Sequence, residues 1–169
     1  MATHAAQQDR LGSGRVAVVQ QATARWLAAY SVTALRISLG LVIAGFGALK
    51  FVPGASPAEQ LVMQTTAKLT LGMVTGTTAV VATAVLETFI GLTLLTGRLT
   101  RVGLVASAGW LVGILAPVVL FPAQMFPGGL PTLAAQYVLK DIILVAGVAV
   151  VAAATLGARF VPVEHPSRS

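Results

Sequence analysis

The stretch from Thr77 to Thr96, TTAVVATAVLETFIGLTLLT, constrains this chain more than any other. Coiled as a helix it rises about 30 Å, the thickness of the hydrocarbon core of a bilayer, and it carries one carboxylate, Glu87, at its middle. A carboxylate at that depth costs about 3 kcal/mol even on lenient insertion scales. The fold therefore has to supply Glu87 with a partner, a proton or a water-filled cavity.

The composition places the rest of the chain in the same setting. Of 169 residues, 56% are hydrophobic and only 9% charged, with a mean hydropathy of +0.87, so polar side chains are too few to coat a soluble globule. This is the signature of an integral membrane protein, and the length suits a single all-α domain of four spanning helices. The chain has no cysteine, which excludes disulfides, thiol redox chemistry and thiolate metal sites. The two histidines, His4 and His165, stand in polar tails, so the usual haem, zinc and copper ligands are missing from the apolar part. No metal or intrinsic cofactor is expected, and any electron transfer would use a borrowed one. Whether the chain is an enzyme stays open at this point, with the missing Cys, His and cofactor motif weighing toward a non-catalytic role. Its net charge of +6 comes from Lys and Arg scattered around apolar segments, a pattern of topology signals and not of nucleic-acid binding.

Taken in order, residues 1–15 read as a disordered polar tail. Val19, Ala22, Trp26 and Tyr30 then recur at helical spacing, which predicts a helix lying in the membrane interface, with Trp26 and Tyr30 as anchors. The first span is predicted over 32–49, with Arg36 about one turn inside and Lys50 at its end; Gly40, Ala44, Gly47 and Ala48 permit close helix approach. Ser56, Pro57 and Glu59 form a capping-box pattern that starts a short amphipathic helix on the membrane surface. The remaining spans are predicted over 77–96, 102–121 and 137–157. A tight basic turn joins the second to the third, which holds Gly109-x-x-x-Gly113 and Pro117. An uncharged, Pro- and Gly-rich loop holding Met125 leads to the fourth, which carries Lys140 and Asp141 in its first turns. Residues 159–169 form a polar tail. Basic residues cluster before the first span, in the second loop and after the fourth span, so the positive-inside rule puts both termini in the cytoplasm and the short amphipathic helix on the far side.

Arg36, Lys50, Glu87, Lys140 and Asp141 are the candidate site residues. Helical rise places Arg36 in the cytoplasmic half, Glu87 near the midplane, and Lys50, Lys140 and Asp141 toward the outer surface. Arg36 is then within reach of Glu87 if the first two spans touch, Lys140 approaches Glu87 from the other side, and Asp141 is left for Lys50. Three readings stand together: structural ion pairs that fix which faces meet, a polar pocket for a quinone headgroup or lipid, or a proton or ion pathway through Glu87 and Asp141. Trp110 reads as core packing, and Thr83 and Thr88 as hydroxyls bonded back to their own helix.

Three segments resemble the DoxX-like family of membrane proteins. They are LRISLGLVIAGFGALKF, with Arg36 and Lys50; ETFIGLTLLTGRLTRVG, with Glu87 and its glycine-containing turn; and QYVLKDIILVAG, with Lys140 and Asp141. The SPAE stretch after the first span is similar to the related YkgB-type proteins, and the resemblance covers most of 32–157. It implies a four-helix bundle in a bacterial inner membrane. Some members are subunits of thiosulfate:quinone oxidoreductase, and a mycobacterial relative is linked to a membrane oxidoreductase complex with superoxide dismutase and a sulfurtransferase. The expected function is that of an accessory subunit with a quinone or lipid in a charged intramembrane pocket, and with membrane lipids and a protein partner or second copy as neighbours. A stand-alone small transporter or lipid-binding protein is the alternative, and a quinone-using oxidoreductase a second.

Overall fold

Proline and glycine placement explains most of the helix boundaries. The computed structural model describes residues 2–159, with side chains for residue 16 and from residue 18 onward. Among the described residues all regular structure is helical, without a strand. No proline occurs before Pro53, and helix α1 accordingly runs unbroken over Ala2–Leu49. The residues read as a tail through residue 15 are helical backbone from residue 2, and the segment read as a separate interfacial helix continues into the first span without a break. Pro53 and Gly54, the latter at φ +74°, then turn the chain.

Helix α2 (Glu59–Leu69) packs along α3 and α4. The predicted capping box does not form. Ala58, not Ser56, is the cap residue, and the Glu59 carboxylate accepts the N–H of Gly54 at 2.9 Å. Helix α3 (Gly76–Thr96) and helix α4 (Thr100–Leu120) match the predicted second and third spans to within two residues. Gly97 and Leu99, both left-handed at φ +70° and +55°, make the three-residue turn between them. Pro117 lies in the last turn of α4, where the missing N–H costs one hydrogen bond without ending the helix.

The loop after α4 holds the four-residue helix α5 (Pro122–Met125), whose Met125 is buried, and a 3-10 turn at Pro127–Gly129. The fourth span is composed of α6 (Leu133–Lys140) and α7 (Ile142–Thr155), joined at Asp141. It starts four residues before the predicted boundary at 137 because Thr132 caps α6, its hydroxyl accepting the N–H of Ala135. The predicted polar tail after residue 159 lies outside the described residues.

Four helical stretches, Val18–Leu49, Gly76–Thr96, Thr100–Leu120 and Leu133–Thr155, are long and apolar enough to cross a membrane. Helix α3 is the centre of the arrangement, with α1, α2 and α4 against it and α7 closing against α1 and α4. The core is Leu39, Ile43, Ile90, Leu94, Leu104, Trp110, Leu111, Val148 and Val151.

Small residues bring α1 and α3 to backbone contact. A Cβ built on Gly91 would lie 2.5 Å from the Ala44 Cβ, and one on Gly47 would lie 2.8 Å from the Glu87 Cβ. Gly40 sits as closely against Gly91 and Leu95. Later positions on α1 thus face earlier positions on α3, and this antiparallel register leaves Leu49, the last residue of α1, beside the middle of α3. Gly109 and Gly113, read from sequence as a close-packing pair, have nothing within 4 Å of a built Cβ. Spacing alone marks a small-residue face but not whether a neighbour uses it.

Candidate functional site

Glu87 is the most thoroughly enclosed charge among the described residues, 2% exposed at mid-α3. Its Oε2 accepts a hydrogen bond from Lys50 Nζ at 2.6 Å, an ion pair closed to solvent on both sides. Its Oε1 accepts the indole N–H of Trp110 at 3.0 Å. The two donors come from different helices: α3 supplies the acid, α4 the indole, and the turn that ends α1 the ammonium. Lys50 also leans back on the Phe46 carbonyl at 3.4 Å. Gly47 makes the approach possible, since a larger residue there would collide with Glu87 and Thr88.

This pairing differs from the one expected. Arg36 does not reach Glu87. It stands roughly four turns, or 20 Å of helical rise, before Lys50 on α1. Its Nη1 bonds the carbonyls of Leu94 and Leu95 at the C-terminus of α3, and its guanidinium lies against Gly97. It therefore caps the last turn of α3, where carbonyls have no intrahelical donor. Lys50 does not pair with Asp141 near an outer surface but is 7% exposed at the depth of Glu87. The displacement follows from register: the stretch 32–49 does not end level with the start of α3.

Lys140 does not approach Glu87 either. It is exposed, with Nζ 3.5 Å from the centroid of the Tyr137 ring, a cation–π contact, and Tyr137 in turn meets Phe46 edge to face. Asp141 is partly buried at the junction of α6 and α7, within electrostatic reach of Lys140, Glu87 and Lys50, and makes no ion pair among the described residues. Of the five candidates, then, the structure joins Lys50 and Glu87 directly, sets Asp141 nearby, and holds Arg36 and Lys140 apart.

Trp110 is a core residue as expected, but its hydrogen bond to Glu87 was missed. The signal available was that a buried indole N–H needs an acceptor and the apolar spans contain few. Thr83 bonds back to the Ala79 carbonyl at 2.9 Å, as expected. The Thr88 hydroxyl does not. It is enclosed and has no hydrogen-bond partner among the described residues.

Chemically, the Lys50–Glu87–Trp110 cluster engages both oxygens of Glu87. Each carboxylate oxygen holds a donor, and removing either donor would leave a charged oxygen stranded in a dry interior. Such a cluster fixes the relative position of three helices. Among the described residues, no three His, Asp or Glu side chains gather as a metal-ligand set. Comparison of the chain with protein-family models, with curated proteins and with solved structures finds no match.

Proposed function

We propose that this chain is a non-catalytic accessory subunit of a bacterial inner membrane, DoxX-like in kind, in which the buried charges lock a four-helix bundle that supports a neighbouring redox or quinone-linked complex. The observation that carries this reading is the occupancy of both Glu87 oxygens by Lys50 and Trp110. A carboxylate that binds a substrate or relays protons needs an oxygen open to the traffic, whereas a helix clamp needs both oxygens held. The distribution of arginines supports both termini on the cytoplasmic side, and four crossings bring the two ends to one side.

The test is purification from native membranes in a mild detergent followed by native mass spectrometry. A stoichiometric protein partner is the expected result. Bound lipid with no protein partner would instead establish a stand-alone lipid-binding protein or transporter, and turnover of a quinol by the isolated chain would establish an oxidoreductase.

A further inference from the structure

At the end of the bundle where α3 turns into α4, a cleft of about 340 Å³ opens between α1, the turn and the end of α7. Val32, Thr33 and Arg36 line it from α1, Gly97 from the turn, Thr100 from the start of α4, and Val151, Ala154 and Thr155 from α7. Its walls are apolar toward α7 and hydroxyl-bearing around the guanidinium. The cleft lies level with the ends of α3 and α7.

Arg36 is prepared for a ligand beyond its capping role. Only Nη1 is engaged with α3, so Nε and Nη2 make no hydrogen bond among the described residues. The guanidinium is held in place by the Leu94 and Leu95 carbonyls and by the flat face that Gly97 offers, which removes much of the side-chain ordering a ligand would otherwise impose. Arg98, Arg101 and Arg159 are exposed at the same end of the chain's helices. The carboxylates with described side chains, Glu59, Glu87 and Asp141, lie in other parts of the bundle. Among the described side chains, the charge around the cleft is therefore positive.

From these observations we infer that the cleft binds the phosphate of an anionic phospholipid, the Arg36 guanidinium taking the phosphate oxygens, the Thr33 hydroxyl assisting one turn away on the same face of α1, and the first part of an acyl chain lying on Val151 and Ala154. A planar guanidinium whose Nε–Nη2 edge keeps its N–H donors unused matches two oxygens of a phosphate diester, and the surrounding arginines disfavour a headgroup that carries its own cation. The inference holds whether the chain works alone or in a complex.

The experiment uses the full chain, delipidated in detergent and titrated with phosphatidylglycerol, with phosphatidylcholine of the same acyl chains, and with inorganic phosphate. Native mass spectrometry reads retained lipid and a thermal melt reads stabilisation. One phosphatidylglycerol per chain should be retained at least tenfold more tightly than phosphatidylcholine, raise the melting temperature, and resist an excess of inorganic phosphate. Arg36→Gln should abolish retention. Because that change also uncaps α3, Thr33→Phe supplies the independent arm: it fills the cleft, leaves Arg36 bonded to α3, and should weaken phosphatidylglycerol at least tenfold without lowering the melting temperature of the lipid-free chain. Equal retention of the two lipids, displacement of lipid by inorganic phosphate, or unchanged binding in Thr33→Phe would each overturn the inference.

Discussion

Lys50 and Glu87 meet at 2.6 Å with both side chains almost fully enclosed, although Lys50 belongs to the turn that ends α1 and Glu87 to the centre of α3. An ion pair so placed gains little net stability over two well-packed apolar residues, because both charges have left water. Its effect is on specificity: any other register of α1 against α3 strands at least one charge in the interior.

That asymmetry gives the first prediction. Lys50→Met and Glu87→Gln should each destabilise the bundle, Lys50→Met by about 3–5 kcal/mol, because a lone buried charge is left behind. The double variant should be more stable than Lys50→Met alone. Thermal melts of the four proteins in one detergent close the cycle, and losses that simply add would rule out the pair as a coupled unit.

Trp110→Phe keeps most of the ring volume and removes the N–H on Glu87 Oε1. The expected loss is about 1 kcal/mol, the size of interhelical hydrogen bonds within membrane bundles. On a Glu87→Gln background the same change should cost less, since a neutral amide is less expensive to leave unpaired. An equal cost on both backgrounds would mean that the indole matters only as packing.

Glycines at a packed and at an open position should respond in opposite directions. Gly91→Ala drives a methyl group into the Ala44 backbone and side chain, all within 2.7 Å, so α1 and α3 must part and the melting temperature should fall sharply. Gly109→Ala meets nothing within 4 Å and should be neutral or stabilising by up to about 1 kcal/mol, through helix propensity alone. Comparable losses in the two variants would contradict the α1–α3 seam.

The chain has no cysteine, so single introduced thiols report topology without a background. A cysteine at Met73, 85% exposed in the α2–α3 loop, should react with an impermeant reagent in intact cells. One at Arg98 in the α3–α4 turn or at Ser13 should react only after the cells are opened. Equal labelling at Met73 and Arg98 would show that α3 does not cross.

The spans themselves were legible because hydropathy and turn residues act locally: α3 and α4 fall within two residues of their predicted limits. Depth was not legible. The stretch 32–49 has the length of a full crossing, but the close contacts of Gly40, Ala44 and Gly47 slide it along α3 until Lys50 reaches Glu87, and such contacts depend on the partner helix as much as on the residues. The same limit explains the misassigned pairings of Arg36 and Lys140 and the unused Gly109 and Gly113. The hydrogen bond from Trp110 was not legible because it appears only once an acceptor is placed opposite the indole.

The sequence distance across the central pair has a consequence for how the chain is made. Lys50 is separated from Glu87 by 37 positions, so α1 is synthesised before the carboxylate it pairs with. Until Glu87 joins it, seating the ammonium in an apolar interior is costly, so the final depth of α1 is set together with α3 and not by the apolar length of α1 itself. A Lys50→Met chain, with no charge to seat, would lose that coupling.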